Sequence, residues 1–277
     1  MVAKMTTWPS DYMTTKLQHL LVGLRSLKLD GKPVIAHASL SAFGQVLGGS
    51  ETLVSALLAV FDSVVMPAFT YKTMIIPPSG PEYNAIPYDS GSDANRMAEF
   101  FDPKMPADPL MGILAEALRK HPNARRSTHP ILSFAGVDAR TALAAQTLSE
   151  PFATIDALVK KDGWVLLLGV NQTVNTSIHY AEKLAGRKQF TRWALTPRGV
   201  RACPGFPGCS AGFQSIAPDI ERYARQARVG EATVQAVPLK RLVRIVVERI
   251  KSDPLALLCQ REDCERCNAI RIHHAAG

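Results

Sequence analysis

Residues 163–182 contain the clearest structural signal in the chain: the apolar run Gly163-Trp-Val-Leu-Leu-Leu-Gly169-Val170 and, shortly after it, Asn175-Thr-Ser-Ile-His179-Tyr-Ala-Glu182. A short apolar run bounded by glycine predicts a buried strand. The polar residues after the run include Asn175, Thr176 and Ser177, whose side chains are typical helix N-caps. Residues 163–182 therefore predict a strand, a loop and a helix, which is the repeating unit of an α/β fold.

His179 and Glu182 lie three residues apart near the start of this predicted helix. Residues at that spacing are neighbours on one helical face. The positive end of the helix dipole favours a neutral imidazole there, and a carboxylate one turn later can accept the proton of the other ring nitrogen. The spacing fits two interpretations: a general base with the residue that orients it, or a surface His/Glu pair without a catalytic role.

Strands and helices alternate along most of the chain. We expect strands at 32–37, 63–66 and 131–135, a helix over 50–61 with Ser50 as its N-cap, and an amphipathic helix over 239–251. Residues 186–218 are rich in proline, glycine and arginine, which predicts loops or a hairpin. The pattern predicts a layered α/β sandwich formed by one domain over residues 1–277.

Length and composition exclude several classes of protein. The 277 residues are 47% apolar, which is enough for a large core, and no stretch of about 18 apolar residues is present that would span a membrane. Residues 1–20 contain Lys4, Asp11 and Lys16 and lack the apolar segment of a secretory signal. We therefore expect a cytoplasmic protein with no membrane partner.

The net charge of +8 favours an anionic partner. Polyanions and phosphorylated cofactors are the candidates, while solvated helix faces explain many of the basic residues equally well. No helix-turn-helix, RRM or arginine-rich tail accompanies the charge, so a nucleic-acid partner is not expected.

The five cysteines fall in two places. Cys259, Cys264 and Cys267 have the spacing C-x4-C-x2-C, and its C-x2-C part is typical of thiolate metal sites. Cys209 offers a fourth ligand, with Cys203 as its substitute, from a loop rich in proline and glycine. Disulfides are not expected in a reducing cytoplasm. The alternatives are a tetrahedral zinc site with four thiolates and a set of free or redox-labile thiols.

Three further patterns concern catalysis. Gly44, Gly48 and Gly49 stand between a predicted strand and a predicted helix, which fits either a phosphate-binding loop or an ordinary glycine-rich turn. His129, close to Arg126, fits either a phosphate ligand or a structural cap. Neither G-x-S-x-G nor H-E-x-x-H occurs, so the sequence offers a base without a covalent nucleophile. Such a base fits direct attack by a bound amine or water.

Six stretches, in this order, resemble the aminoglycoside 3-N-acetyltransferase family over roughly residues 15–250. No single stretch is specific, but their order is. The resemblance implies the α/β fold peculiar to this family, which is not the fold of the GNAT acetyltransferases. The stretches are His37-Ala-Ser-Leu-Ser41 with Gly44 and Gly48-Gly-Ser-Glu-Thr52; Val65-Met-Pro-Ala-Phe-Thr70; Phe101-Asp-Pro103; Met111-Gly-Ile-Leu-Ala-Glu116; Arg126-Ser-Thr-His129-Pro-Ile-Leu-Ser133-Phe134; and Leu168-Gly169 through His179-Tyr-Ala-Glu182.

The resemblance also implies acetyl-CoA as donor and the 3-amino group of an aminoglycoside as acceptor. In this interpretation His179 takes the proton as the amine attacks the thioester carbonyl, and Glu182 orients the imidazole. Thr70, Asn175 and Thr176 lie in matching stretches and are expected to position the substrate or to bind the tetrahedral oxyanion. The residues expected to bind acetyl-CoA are His37, Ser39, Leu40, Ser41, Phe43, Gly44, Arg126, His129, Ser133 and Phe134.

Two features depart from the family pattern. An aminoglycoside is a polycation and needs carboxylates around it, for which Glu82, Asp89, Asp93 and Asp102 are the candidates, yet the chain is strongly basic. An N-acyltransferase for another small amine, such as an aminophosphonate or an amino sugar, is therefore an alternative. The cysteine-rich tail, residues 253–277, suggests a branch in which a structural zinc pins the tail to the 203–213 loop.

A more remote alternative is a non-catalytic protein whose C-terminal cysteines and basic helices bind nucleic acid. The intact pair of His179 and Glu182 argues against it. A monomer and a homodimer both fit the sequence.

Overall fold

The computed structural model describes residues 14–275. Residues 1–20 were predicted to lack a secretory signal, and residues 1–13 of that segment lie outside the described range. Strands occupy β1 (Thr14–Thr15), β2 (Pro33–Ala38), β3 (Gln45–Val46), β4 (Ser63–Pro67), β5 (Met74–Ile75), β6 (Arg125–Arg126), β7 (Phe134–Val137), β8 (Trp164–Leu168), β9 (Phe190–Thr196), β10 (Gly199–Phe206), β11 (Arg225–Val229) and β12 (Ala232–Pro238).

Helices lie between most of these strands and after the last one. None of those in residues 14–275 has the length and apolar character that crossing a bilayer requires. They are α1 (Leu17–Ser26), α2 (Gly49–Val60), α3 (Ser92–Arg96), α4 (Gly112–Lys120), α5 (Arg140–Ala144), α6 (Ala153–Lys160), α7 (Thr176–Leu184), α8 (Ala217–Ile220), α9 (Leu239–Ser252) and α10 (Glu265–Ala275).

A seven-stranded mixed sheet, in the order β11-β12-β8-β2-β4-β7-β6, forms the centre of the fold. Its three middle strands, β8, β2 and β4, are parallel, and antiparallel strands flank them on both sides. In a parallel sheet the carboxyl ends of the strands meet at one edge, where ligands usually bind. Here that edge is formed by the ends of β2, β4 and β8.

Side chains alternate along the strands between two cores. On β2, Val34 and Ala36 pack with helices α1, α2 and α4, whereas Ile35 packs with α5, α6, α7 and α9 on the other face. The same alternation on β8 divides Leu166 from Leu167. The predicted layered α/β sandwich is therefore confirmed. A second, three-stranded antiparallel sheet has the order β10-β9-β5. Its strands β9 and β10 form a hairpin, one of the two structures predicted for residues 186–218, loops or a hairpin.

Two local predictions were wrong. Ser50 is not the N-cap of α2, because Gly48 adopts a left-handed conformation (φ 78°) and the helix begins at Gly49. The strand expected from Ile131 begins only at Phe134. The N–H groups of the preceding residues are used elsewhere: those of Ile131 and Leu132 donate to a histidine ring and cannot join the sheet.

Candidate active site

A cavity of about 250 Å³ opens at the carboxyl ends of the parallel strands. Among the described residues that line it, one side chain, Arg266, carries a fixed charge, and no carboxylate is present. The lining residues are Ala36, His37, Ala38, Met66, Pro67, Phe69, Tyr71, Leu110, Met111, Ala115, Val170, Thr173, Val174, Asn175, Thr176, His179, Phe206, Pro207, Gly208, Ser210 and Arg266.

His179 and Glu182 form a hydrogen-bonded pair in the wall of this cavity. The two atoms, His179 Nδ1 and Glu182 Oε2, are 2.7 Å apart, and the glutamate side chain is 1% exposed. A buried carboxylate at Nδ1 favours the tautomer that carries its proton there. Nε2 is then the ring nitrogen that can accept a proton, so the geometry is that of a general base and the residue that orients it.

The start of α7 explains why the pair lies at the sheet edge. Of the three N-cap candidates, Asn175 is the N-cap: its Oδ1 accepts a hydrogen bond from the Ser177 N–H at 3.1 Å. Its Nδ2 donates to Gln172 at 2.8 Å, which is in turn bonded to Gln235 on β12. The cap is therefore tied to the sheet, and Asn175 and Thr176 both line the cavity.

Aromatic rings enclose the His179 imidazole. The Phe213 ring lies 4.7 Å from it at 62°, and the Phe152 ring is stacked at 6.1 Å. His37, at the end of β2, is the other histidine of the cavity. Burial, and secondly the charge of His179, lower the pKa of His37 from 6.5 to about 3. His37 is therefore neutral, and its Nε2 has no hydrogen-bond partner among residues 14–275.

The loop after β2 contains the other predicted acetyl-CoA residues of the N-terminal half. Ser39 and Ser41 share a hydrogen bond of 3.0 Å between their hydroxyls, and Leu40 is half-buried against the core. Phe43 is a core residue, and Gly44 has a positive φ of 71°. Only His37 of this predicted set lines the cavity itself; the loop continues directly from its lining residue Ala38.

The predicted residues of the 126–134 segment have structural partners. The Arg126 guanidinium donates to Ser133 Oγ and to the backbone carbonyls of Pro103, Met105 and Ala68. Burial is the largest cause that lowers its pKa, to about 10. Phe134 is a core residue, and the buried Ser133 hydroxyl donates to the Ala68 carbonyl. The side chains of Arg126, Ser133 and Phe134 do not line the cavity.

The side chains of His129 and Thr70 likewise form hydrogen bonds with backbone groups. His129 Nδ1 accepts hydrogen bonds from the N–H groups of Ile131 (3.1 Å) and Leu132 (3.0 Å), which is the cap interpretation left open by the sequence. The Thr70 hydroxyl donates to the Pro130 carbonyl at 2.7 Å. Neither side chain lines the cavity.

The four candidate substrate carboxylates are exposed and lie outside the cavity lining. Asp93 is 3.7 Å from Arg96, and Asp102 accepts a hydrogen bond from the Lys104 N–H. Glu82 and Asp89 belong to the irregular segment before α3.

Two arginines near the pair were not predicted from the sequence. Arg187 donates from Nη1 to Glu182 Oε1 at 2.7 Å, and Arg266 on α10 lines the cavity while donating to the Gly208 carbonyl at 3.0 Å. The one local signal for Arg187 is its position just after the Gly186 that follows α7. Arg266 stands between two of the tail cysteines.

Four of the five cysteines form one buried cluster. The Sγ atoms of Cys209, Cys259, Cys264 and Cys267 all lie within 4.8 Å of one another. Cys203, the substitute ligand, is not part of the cluster. Burial opposes the thiolate at Cys264, but the Cys267 N–H and neighbouring thiols outweigh it and lower the pKa of Cys264 to about 6. Burial raises the pKa of Cys209 and Cys267.

A family model for aminoglycoside 3-N-acetyltransferases matches residues 35–251. The chain belongs to this family. Aminoglycoside N(3)-acetyltransferase IX of Micromonospora chalcea is 35% identical over 187 residues, which are 62% of this chain and 62% of that relative. The chain thus matches about three fifths of the length of this family member.

Solved structures of aminoglycoside 3-N-acetyltransferases share the fold. The apoenzyme of AAC(3)-IVa has a TM-score of 0.75 at 24% identity, over 94% of this chain and 98% of that one. The binary complex of AAC-IIIb with CoASH has a TM-score of 0.70 at 22% identity, over 86% and 97%. The fold predicted from the resemblance is therefore confirmed.

Proposed function

We propose that the chain is an acetyl-CoA-dependent N-acetyltransferase that acetylates the 3-amino group of aminoglycosides. The observation that carries the proposal is the bond of 2.7 Å between His179 Nδ1 and Glu182 Oε2 in the wall of the cavity. Family membership supports the reaction class, and the CoASH complex of AAC-IIIb supports the donor.

The acceptor amine attacks the thioester carbonyl directly. The C–N bond forms as His179 Nε2 takes one amine proton, and Glu182 stabilises the positive charge that develops on the ring. The tetrahedral intermediate collapses by breaking the C–S bond, and the proton is returned to the CoA thiolate. Asn175 and Thr176, at the N-terminus of α7, line the cavity and are the candidates for stabilising the oxyanion.

The four-cysteine cluster is proposed to hold a structural zinc. A tetrahedral site with Zn–S bonds of about 2.3 Å places its sulfurs about 3.8 Å apart, which fits thiols already gathered within 4.8 Å. Four protein ligands leave no open position, so the metal would stabilise the fold. Metal analysis of protein purified without chelator should give close to one equivalent; less than about a tenth would contradict the site.

One observation favours a second acceptor class. The charged side chain lining the cavity is Arg266, and the lining contains no carboxylate among residues 14–275. A cation suits an acceptor that carries an anionic group, such as an aminophosphonate, better than a polycation. Acylation of such an amine would use the same pair of His179 and Glu182.

A thiol-release assay with acetyl-CoA separates the two classes. The panel contains aminoglycosides with a free 3-amino group, the same compounds with that amine blocked, aminophosphonates and amino sugars. Turnover that disappears when the 3-amine is blocked supports the first proposal. Turnover confined to anionic amines, with a KM raised by Arg266→Ala, supports the second. No acetyl transfer to any amine would contradict both.

A further inference from the structure

Arg187 occupies the side of Glu182 that His179 leaves free. Its Nη1 donates to Glu182 Oε1 at 2.7 Å, while Oε2 of the same carboxylate is 2.7 Å from the His179 ring. The side chains of Arg187 and Glu182 are 2% and 1% exposed. Each oxygen of this buried carboxylate therefore has one fixed partner, and the two partners together set the plane of the carboxylate.

The second terminal nitrogen of the Arg187 guanidinium binds the C-terminal part of the chain. Nη2 donates to the carbonyls of Pro254 (2.9 Å) and Ala256 (2.6 Å), more than 65 residues later in sequence. These carbonyls belong to the short segment between α9 and Cys259, and that segment is buried from Ala256 onwards. The position of Arg187 thus depends on where residues 254–256 are held.

The four-cysteine cluster lies next to this segment. Cys259 lies three residues after Ala256, and the cluster joins it to Cys209 on a distant loop. The two segments touch next to the cluster: a Cβ on Gly212 would lie 2.4 Å from the Leu257 carbonyl oxygen, so only glycine allows this approach. The Cys209 loop continues directly into Phe213.

Phe213 brings this second segment to the catalytic pair, since its ring lies 4.7 Å from the His179 ring. The cluster therefore joins two segments that reach the pair from different sides. One reaches Glu182 through Arg187, and the other reaches His179 through Phe213.

We propose that Arg187 is a positioning residue for the His179–Glu182 pair, and that the Cys209/Cys259/Cys264/Cys267 cluster, with a metal bound, holds Arg187 and Phe213 in place. This inference rests on the proposed function of the pair. Loss of the metal then lowers turnover. Ser210 and Arg266, which are sequence neighbours of cluster cysteines, line the cavity, so a constant KM is not expected when the cluster is disrupted.

The arginine is tested with Arg187→Met and Arg187→Lys. We expect Arg187→Met to lower kcat about 10–100-fold, as for other residues that orient a functional side chain, and to leave the KM for acetyl-CoA unchanged. Arg187→Lys keeps one charged donor and should recover part of kcat. Arg192→Met is the matched control, because Arg192 is also buried and bonded to carbonyls but does not touch Glu182. An Arg187→Met enzyme with the kcat of the control would overturn the proposal.

The cluster is tested with Cys264→Ser, with Cys203→Ser as the matched control from outside the cluster. Native mass spectrometry should find bound metal in the control and none in Cys264→Ser, whose kcat falls. In the double variant Arg187→Met/Cys264→Ser the two losses in kcat should be less than additive, since both act on Glu182. Fully additive losses, or wild-type kcat in metal-free Cys264→Ser, would overturn the link.

If Cys264→Ser does not fold, chemical removal of the metal takes its place. In the Cys203→Ser protein, a thiol-specific mercurial with a metallochromic dye releases the metal stepwise, and kcat should fall in step with the metal released. Unchanged kcat after full release, or no metal to release, contradicts the proposal. If the wild-type chain transfers no acetyl group, the proposed function fails. The connection between the cluster and Arg187 is then tested by whether Arg187→Met and Cys264→Ser have non-additive effects on the unfolding free energy.

Discussion

Two segments of the chain each bring a buried histidine to one end of the central sheet, and they use it differently. At the start of α7, His179 Nδ1 is bonded to a carboxylate and the ring lines the cavity. In the 126–134 segment, His129 Nδ1 accepts two backbone N–H groups and the ring lies outside the cavity lining. Both segments belong to stretches that resemble the family.

The partner of Nδ1 separates the two roles. A carboxylate there stabilises the positive charge that forms when Nε2 takes a proton. Two N–H donors at His129 do the opposite, since a protonated Nδ1 could no longer accept their hydrogen bonds. Burial, a separate cause, lowers the pKa of His129 to about 4. The resemblance therefore does not distinguish the two histidines, whereas their hydrogen-bond partners favour His179 as the proposed base.

The largest expected difference between the two histidines is in turnover. His179→Ala removes the proposed base, and we expect kcat to fall about 10²–10⁴-fold, the usual contribution of general base catalysis. Acetyl-CoA affinity, measured by calorimetry, should stay close to that of the wild type. A His179→Ala enzyme with wild-type kcat would remove His179 from the mechanism.

The next effect is in stability, and it belongs to His129. His129→Ala leaves the buried N–H groups of Ile131 and Leu132 without an acceptor, which should lower the free energy of unfolding by about 1–3 kcal/mol. His129→Asn is the matched variant, because an amide oxygen can replace Nδ1 as the acceptor. Both variants should keep wild-type kcat and KM for acetyl-CoA once folded. A raised KM in both would instead indicate a role in cofactor binding.

Local signals in the sequence predicted much of the fold. The apolar run before Gly169 is β8, Asn175 is the N-cap of α7, and the amphipathic pattern from Leu239 gives α9. These predictions depend on neighbours in sequence. The start of β7 was misplaced, because a strand pattern does not reveal that a nearby side chain captures the N–H groups of Ile131 and Leu132.

Contacts distant in sequence account for what could not be predicted at the site. Arg187 meets Glu182 five residues away, but its position is set by the carbonyls of Pro254 and Ala256. The spacing of the cysteines could not choose between Cys203 and Cys209 either. The hairpin decides it: Cys203 is paired with Arg192 inside the β9–β10 ladder, whereas Cys209 lies beyond the end of β10.

The last difference concerns the pH dependence of stability. The pKa of His129 is 6.5 in the unfolded chain and about 4 in the fold, so the unfolded state binds more protons between these values. The contribution of His129 to the free energy of unfolding is therefore fully present above pH 6.5. It is lost as the pH falls towards 4, at up to about 1.4 kcal/mol per pH unit. His37, with a pKa of about 3, adds a loss of the same sign.

His129→Asn isolates the contribution of His129, because it keeps an acceptor for the turn and cannot titrate. Chemical denaturation at pH 7, 6 and 5 should show a smaller loss of unfolding free energy in His129→Asn than in the wild type, and the two curves should run parallel above pH 7. His273→Asn, which removes an exposed histidine, should follow the wild type. Equal slopes for wild type and His129→Asn would mean that the ring of His129 accepts a proton in the fold. That result would erase the difference between His129 and His179 on which their separate roles depend.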